Sequence, residues 1–202
     1  MEKEEIKKKY FINDHQEALL SSYLDILYKN NLHTNLVGKS TLTNPWTSHI
    51  LDSIQILPFI NNKKLKILDM GSGAGLPGIP LCIAGCQNVC LVDSNNKKIK
   101  FLRAIKEKLN IDIKIILDRL ENINNLKFDI ITSRALANLN KLFSYSQKFL
   151  KKNTLIIFLK GKAANEELLN AKKNWNFEYF EHQSLSDQRG KILIIKNLKK
   201  ND

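Results

Sequence analysis

The chain has 202 residues, of which 43% are hydrophobic and 26% charged, so it suits one domain with a substantial core. No run reaches the roughly 18–20 apolar residues of a membrane span, and the charged N-terminus lacks the apolar segment of a signal peptide, so we expect a cytoplasmic protein with no membrane partner. The net charge of +12 suits a polyanionic partner, but a composition rich in Lys, Asn and Ile, which AT-rich codons specify, explains it equally well.

The first part of the chain has helical spacing. Apolar residues at Leu20, Leu24 and Leu27 predict a helix from Asn13 to Leu32, with Asn13 as its cap. A second helix is predicted from about Asn44 to Leu57, with Pro45 at its first position. We expect residues 1–60 to form a helical extension that packs on a core of residues 61–202, within a single domain.

From Lys66 onward, apolar strands alternate with helices. Strands are predicted at Lys66–Met70, Val89–Val92, Ile113–Leu117, Ile130–Thr132, Leu155–Leu159, Phe177–Phe180 and Ile192–Ile195. Helices are predicted from the glycines to about Ala84, at 95–109, at Asn138–Phe149 and near Ala163–Lys173. This alternation predicts an α/β fold with a mostly parallel seven-stranded sheet, helices on both faces, and a ligand at the carboxyl ends of the first strands.

A glycine-rich turn follows the first predicted strand. Gly71, Gly73 and Gly75 allow positive φ angles and the close approach of a ligand to backbone amides. A dinucleotide fingerprint requires glycine at position 76, where this chain has Leu76. Asp69, two residues before the first glycine, favours a cationic amino-acid moiety over a pyrophosphate. S-adenosylmethionine carries an ammonium and a sulfonium and has no phosphate.

Asp93 ends the second predicted strand, 22 residues after Gly71. An acidic side chain there can accept hydrogen bonds from both ribose hydroxyls of a nucleoside. The simpler interpretation is an aspartate of a strand-end turn. Together with Asp69 and the three glycines, Asp93 indicates a site for S-adenosylmethionine.

No metal site is predicted. Cys82, Cys86 and Cys90 are odd in number and form no Cys-x-x-Cys pair, which indicates reduced packing residues, and the four histidines are scattered.

The chain resembles a known family, the small-subunit ribosomal RNA guanine-N7 methyltransferases called RsmG, formerly glucose-inhibited division protein B. The stretch from Gly71 to Leu81 resembles the family's signature, including its trailing Leu-Pro-Gly-Ile-Pro. The similarity extends over nearly the whole chain, through Asn35-Leu36, His49–Ser53, Asp93-Ser94, Lys97–Leu102, Arg119–Glu121, Phe128-Asp129, Ser133–Ala135 and Leu159–Gly161. The chain departs from the family's pattern at Ser48, Asn95 and Lys98, and the arginine missing at position 48 removes one possible phosphate contact.

The resemblance implies a Rossmann-like class I methyltransferase that methylates N7 of the guanine numbered 527 in 16S ribosomal RNA, with S-adenosylmethionine as cofactor. It implies 16S rRNA or the small ribosomal subunit as partner, and we expect a monomer. Carried over position by position, the family's cofactor contacts fall on Gly71, Leu76, Leu120 with Glu121, and Arg134. Asp69, Gly73, Gly75 and Asp93 are expected in the same pocket.

The expected chemistry needs no general base, because N7 of guanine has a free lone pair. Positioning and charge stabilisation are then sufficient. We assign these catalytic roles to Arg134 and Lys160; a structural arginine and a solvated lysine are the simpler interpretations. His49 and Asp52 are either catalytic or a packing pair that ties the N-terminal helices to the sheet. The row Lys97, Lys98, Lys100 and Arg103 is either an RNA-binding face or a solvated one.

Three other functions are compatible with parts of the sequence. The same fold acting on another RNA, a protein or a small molecule would make the basic surface incidental. An RNA-binding scaffold with an inactive pocket would have no need of Asp69, the glycines and Asp93. A nicotinamide dehydrogenase conflicts with the glycine spacing.

Overall fold

The computed structural model describes residues 1–201. It contains seven strands: β1 (Lys66–Met70), β2 (Asn88–Asp93), β3 (Ile113–Leu117), β4 (Phe128–Arg134), β5 (Leu150–Lys160), β6 (Trp175–Gln183) and β7 (Lys191–Lys200). They form one sheet in the order β3-β2-β1-β4-β5-β7-β6, and β7 is antiparallel to both of its neighbours. The predicted mostly parallel seven-stranded sheet is confirmed.

Helices cover the sheet and precede it. They are α1 (Lys3–Tyr10), α2 (Asp14–Thr34), α3 (Asp52–Ile54), α4 (Gly78–Ile83), α5 (Asn96–Leu109), α6 (Leu139–Gln147) and α7 (Ala164–Ala171). Short 3-10 turns occur at Lys39–Leu42, Leu57–Phe59 and Leu120–Asn122. Of the helices within residues 1–201, none is long and apolar enough to cross a membrane.

Two apolar clusters form the core, one on each face of the sheet. Successive side chains of a strand point to opposite faces, so Ile67 of β1 belongs to one cluster and Leu68 to the other. The Ile67 side packs against α1, α2, α4 and α5, and the Leu68 side against α6 and α7. The N-terminal helices therefore share one continuous core with the sheet.

The N-terminus differs from the prediction in one respect, since α1 was not expected. Ile6 is its one fully buried side chain, so its sequence carries almost no helical apolar stripe. The predicted cap of α2 is confirmed, because Asn13 Oδ1 accepts a hydrogen bond from the Gln16 backbone amide. Glu17, in the first turn of α2, pairs with Lys3 and Lys7 and thereby anchors α1.

The prediction of one helix from Asn44 to Leu57 is wrong. A π-helix at Trp46–Leu51 leads into the single turn of α3. His49, Ile50 and Leu51 of this segment are all buried. π turns often occur at functional sites.

The later elements are confirmed, with changed bounds. Strands β5, β6 and β7 extend beyond the predicted segments, because their ends are polar residues that lie at exposed positions of the sheet. The carboxyl ends of β1, β2 and β4 meet at one edge of the sheet, where the glycine turn begins.

Candidate active site

The glycine turn after β1 is fastened to β2 by Ser72. The Ser72 hydroxyl donates to the Asp69 carbonyl at 2.8 Å and accepts from the Val92 amide at 3.0 Å, while the Ser72 amide donates to the Val92 carbonyl at 2.9 Å. The side chain is buried. Ser72 is not among the predicted site residues, although a small hydroxyl residue between two glycines is a recognisable signal.

The three predicted glycines have positive φ angles of 65°, 57° and 90° at Gly71, Gly73 and Gly75. Their surroundings differ. A Cβ at Gly71 would lie 2.4 Å from Leu136 Cδ1, and one at Gly75 would lie 2.3 Å from Ile79 Cδ1. A Cβ at Gly73 would meet nothing closer than 3.8 Å. Two of the glycines therefore allow close packing of protein side chains, and only at Gly73 would a Cβ have normal van der Waals distances to its neighbours.

Asp69 lies beneath this turn and is fully buried. Its Oδ2 accepts a hydrogen bond of 3.0 Å from the Gly78 amide at the start of α4, and Oδ1 has no partner among residues 1–201. Burial is the main cause that raises the pKa of this carboxyl to about 7. Asp69 thus holds the start of α4 against β1, and its one unpartnered oxygen is the atom left for a ligand or a proton.

Asp93 joins the turn to the end of β2. Its Oδ2 accepts from the Gly73 amide at 2.9 Å, its Oδ1 accepts from the Asn95 amide at 2.8 Å, and Lys98 Nζ lies 3.7 Å from Oδ2. A carboxylate has about four acceptor positions, so about two remain after the backbone amides are counted.

A cavity of about 460 Å³ opens in front of these residues, at the carboxyl ends of the parallel strands. Four of the predicted cofactor residues line it: Gly71, Asp93, Leu120 and Glu121. Leu120 is buried and Glu121 is exposed, both on the 3-10 turn after β3. The remaining lining includes Lys98, Arg119, Lys141 and Tyr145, which sequence analysis did not assign to the cofactor.

The opposite wall of the cavity is the turn after β4. Ala135 has a φ of 53°, a left-handed conformation that is uncommon for a residue with a side chain. This conformation places Ala135 and Leu136 in the lining, with Leu136 directly over Gly71. Backbone strain of this kind concentrates at functional sites.

Arg134 ends β4 beside this wall, and its side chain contacts the N-terminal segment. The guanidinium donates to Asp52 Oδ2 at 2.7 Å and to the Ser48 carbonyl at 3.0 Å, and it lies 3.2 Å from His49 Nδ1. The expected packing pair of His49 and Asp52 therefore meets on Arg134. His49 is fully buried, and burial followed by the nearby Arg134 charge lowers its pKa to about 4.

A second contact joins the N-terminal extension to the site. The buried Tyr23 of α2 donates its hydroxyl to the Ala74 carbonyl of the glycine turn at 2.9 Å. Burial raises the pKa of this phenol. Nothing in the local sequence of α2 distinguishes Tyr23 from an ordinary core aromatic.

Leu76 and the side chain of Lys160 are both buried within the protein. Leu76 is buried in the core cluster and does not line the cavity. The Lys160 side chain is only 7% exposed; its ammonium pairs with Glu167 at 2.7 Å and donates to the Ala137 carbonyl at 2.8 Å. Glu167 also accepts from the Leu139 amide, so Lys160 supports the turn after β4 and presents no free charge for an RNA phosphate.

The row of basic residues on α5 is largely solvated, except that Lys98 reaches the cavity. Within residues 1–201, no group of three or more His, Cys, Asp or Glu side chains is arranged to hold a metal ion.

Solved structures share this fold. A ribosomal protein L11 methylase from Lactobacillus delbrueckii subsp. bulgaricus superposes with a TM-score of 0.59 at 20% identity, covering 72% of this chain and 76% of that one. A magnesium protoporphyrin IX methyltransferase from Synechocystis PCC 6803 with bound SAM gives a TM-score of 0.62 at 13% identity, covering 86% and 96%. At these identities the likeness shows the Rossmann-like methyltransferase fold alone.

Sequence relatives are closer. The ribosomal RNA small subunit methyltransferase G of Rickettsia prowazekii (strain Madrid E) is 40% identical over 181 residues, which cover 90% of this chain and 94% of that protein. That of Orientia tsutsugamushi (strain Ikeda) is 42% identical over 174 residues, covering 86% and 87%. A sequence profile of the rRNA small subunit methyltransferase G family matches residues 16–197. The resemblance seen in the sequence is confirmed, and the chain belongs to the rRNA small subunit methyltransferase G family.

Proposed function

We propose that this chain transfers the methyl group of S-adenosylmethionine to N7 of one guanine in 16S rRNA, the guanine at position 527. The observation that carries the proposal is the cavity at the glycine turn, in a chain whose family methylates small-subunit rRNA. Bound there, S-adenosylmethionine supplies an electrophilic methyl group on a sulfonium.

The residues around the cavity fit this cofactor. Asp93 has about two hydrogen-bond acceptor positions that are not used by backbone amides, and these match the two hydroxyls of a ribose. Leu120 offers a buried apolar surface for an adenine ring, and a Cβ at Gly73 would meet nothing closer than 3.8 Å. We propose that Gly71, Gly73, Asp93, Leu120 and Glu121 contact the cofactor.

A second set of residues shapes the pocket from behind. Asp69 binds the amide at the start of α4. Gly75 leaves room for the side chain of Ile79 to pack closely against the turn, and the side chain of Leu76 packs in the core beneath it. We propose that these three act on cofactor binding through the shape of the turn. The unpartnered Oδ1 of Asp69 is the one atom among them with capacity for a further hydrogen bond.

The composition of the cavity suits a ring nitrogen as the target. Its lining, within residues 1–201, contains carboxylates, basic residues and Tyr145, but no histidine or cysteine. His49 is held neutral by burial and by Arg134, away from this lining. Because guanine N7 has a free lone pair, transfer requires neither a general base nor a covalent nucleophile. Arg134, at the end of β4, is our candidate for orienting the guanine or the cofactor, and Lys160 supports the neighbouring turn.

Three basic side chains in the cavity lining, which also contains three carboxylates, are candidates for contacts with the substrate. Lys98, Arg119 and Lys141 line the cavity, and phosphate groups near its mouth would meet these charges. We propose 16S rRNA or the small ribosomal subunit as partner, a cytoplasmic location and a monomeric enzyme. We also propose that residues 1–60 act as an extension of one domain, which the shared core and the Tyr23–Ala74 contact support.

Transfer of labelled methyl groups from S-adenosylmethionine tests the proposal. Purified protein is incubated with small subunits from a strain that lacks this methyltransferase, with naked 16S rRNA, and with a protein extract. We expect label in the rRNA of one of the first two substrates, and a rate that falls steeply as salt rises. Label in a protein or a small molecule, with none in rRNA, would contradict it.

A further inference from the structure

The guanidinium of Arg134 is held by a segment more than eighty residues away in the chain. Its Nη1 donates to the carboxylate of Asp52 and to the Ser48 carbonyl, at 2.7 and 3.0 Å. Its Nη2 lies 3.2 Å from His49 Nδ1. A guanidinium has five N–H donors in a fixed plane, so three contacts fix both its position and its orientation.

The contact with His49 has a defined proton arrangement. Arginine only donates, so Nδ1 of the neutral imidazole accepts, and the ring proton resides on Nε2. Nε2 then donates to Thr41 Oγ1 at 3.1 Å, and the Thr41 hydroxyl donates to the Gly38 carbonyl at 2.6 Å. His49 is thus an immobile acceptor that supports Arg134 from one side.

The carboxylate of Asp52 is shared between two parts of the fold. Oδ2 accepts from Arg134, while Oδ1 accepts from the Ser186 hydroxyl at 2.5 Å and from Gln55 Nε2 at 3.0 Å. The side chains of Asp52 and Arg134 are only 18% and 19% exposed, so the pair is shielded from solvent and from salt. A carboxylate bound through both oxygens cannot rotate freely.

The second part of the fold is the loop between β6 and β7. Gln55 is buried, and its Oε1 accepts from the Leu185 amide at 2.8 Å, so this loop is fastened to the segment that carries Asp52. Strand β7 pairs with β5 so that Lys191 faces Lys160. The loop therefore lies at the same edge of the sheet as the end of β4 and the cofactor cavity.

We infer that Asp52 is a positioning residue for methyl transfer, which acts by fixing the guanidinium of Arg134 and by tying it to the β6–β7 loop. This inference rests on the proposed role of Arg134 in orienting the guanine or the cofactor. A pair that only fastened the N-terminal segment would affect stability, and would have no specific link to the rate of transfer.

Asp52→Asn tests the inference, because it keeps the shape of the side chain and removes the charge that Arg134 pairs with. Asp129→Asn is the matched control. Asp129 lies at the start of the same strand, pairs with Lys151 at 2.5 Å and accepts from the Lys66 amide at 2.9 Å. Both variants lose one charged pair, at opposite ends of β4.

We expect Asp52→Asn to lower kcat for small subunits by about tenfold, at a temperature where thermal unfolding shows every variant folded, with KM changed by less than about threefold. Asp129→Asn should have the same kcat as the wild type. Arg134→Lys, which preserves charge but loses the planar fork, should also lower kcat by about tenfold or more. The double variant Asp52→Asn/Arg134→Lys should be no slower than the slower single variant, because both substitutions break the same interaction.

The outcomes separate the two proposals. If Arg134→Lys and Arg134→Ala both transfer methyl groups normally, the proposed role of Arg134 fails, and this inference fails with it. If they are slow but Asp52→Asn is normal, or if the losses multiply in the double variant, only the inference about Asp52 is overturned. If Asp52→Asn does not fold, the variant Ser186→Ala tests the inference about Asp52 instead. It removes one partner of Asp52 Oδ1, and we expect it to lower kcat about threefold, whereas an unchanged kcat would contradict the inference.

Discussion

The backbone amide of Gly73 donates a 2.9 Å hydrogen bond to Asp93 Oδ2, so the glycine turn and the end of β2 form one unit. We therefore assign two roles to Asp93. It stabilises the turn through Gly73 and Asn95, and it offers its remaining acceptor positions to the ribose of the cofactor.

Asp93→Ala should weaken the binding of S-adenosylmethionine by about 1.5–3 kcal/mol, since charge-assisted hydrogen bonds are lost. Isothermal titration of the wild type and the variant measures this. Asp93→Asn keeps the shape of the side chain but lacks the charge, and its single oxygen can accept from only one of the two backbone amides. We expect weaker binding for this variant also. Equal affinities in all three proteins would remove Asp93 from the cofactor site.

Gly73→Val should abolish cofactor binding while the domain stays folded. The φ of 57° disfavours any side chain and especially a β-branched one, and the space above Gly73 is the space assigned to the ligand. Gly85→Val is the control, because Gly85 also has a positive φ, of 105°, but its amide donates to the Cys82 carbonyl, whereas the amide of Gly73 donates to Asp93 in the cavity lining. Circular dichroism establishes folding and titration establishes binding; normal binding by Gly73→Val would contradict the proposed turn.

Asp69 should make the free protein less stable as the pH rises. The folded-state pKa of about 7 lies above the unfolded value near 3.8, so the folded state binds more protons between these values. Its contribution is therefore most favourable below about pH 4, declines as the pH rises to 7, and then levels off. In Asp69→Asn this decline is absent, and the melting temperature of the variant relative to the wild type should increase between pH 5 and pH 8. A difference that is constant over this range would contradict the assignment.

His49 should make the protein less stable as the pH falls. Its folded-state pKa of about 4 lies below the unfolded value of 6.5, so its contribution to stability is fully present above 6.5 and is lost as the pH falls toward 4. His49→Gln keeps an acceptor for Arg134 and a donor for Thr41, and it should remove this acid-side loss. Because His49 stays neutral near pH 7, the pH profile of kcat should keep its shape in the variant. Loss of an inflection between pH 6 and 8 would show that His49 acts as a general acid or base.

Much of the fold could be predicted from local patterns. The apolar runs of β1 and β2 and the stripe of Ile99, Leu102 and Ile105 on α5 set their own structure, because burial of one face favours one period. Helix α1 and the π-helix could not be predicted this way. The first buries one side chain, Ile6, and its ion pairs with Glu17 reach another helix, so it has no apolar stripe of its own; the second departs from the period of 3.6 residues on which the prediction rests.

The sequence predicts which residue types lie near the site, but it predicts only some of the contacts between them. Glycine spacing and strand-end aspartates carry a local signal, and Gly71 and Asp93 both line the cavity. The partners of Arg134 lie 82 to 86 residues before it, and the Lys160–Glu167 pair forms only after α7 packs against the sheet. No spacing rule connects such residues, since tertiary packing alone brings them together.

Methylation at N7 of guanine 527 can be located directly in the RNA. Methylation at N7 places a fixed positive charge on guanine, which makes the ring labile, so borohydride followed by aniline cleaves RNA at that nucleotide. Small subunits from a strain that lacks the enzyme are incubated with S-adenosylmethionine and with wild-type protein, Arg134→Ala or the control Asp129→Asn, and the 16S rRNA is then cleaved and mapped. We expect cleavage at guanine 527 with the wild type and Asp129→Asn, and little or none with Arg134→Ala. Incorporation of a methyl group into the rRNA without cleavage at that guanine would contradict the proposed function.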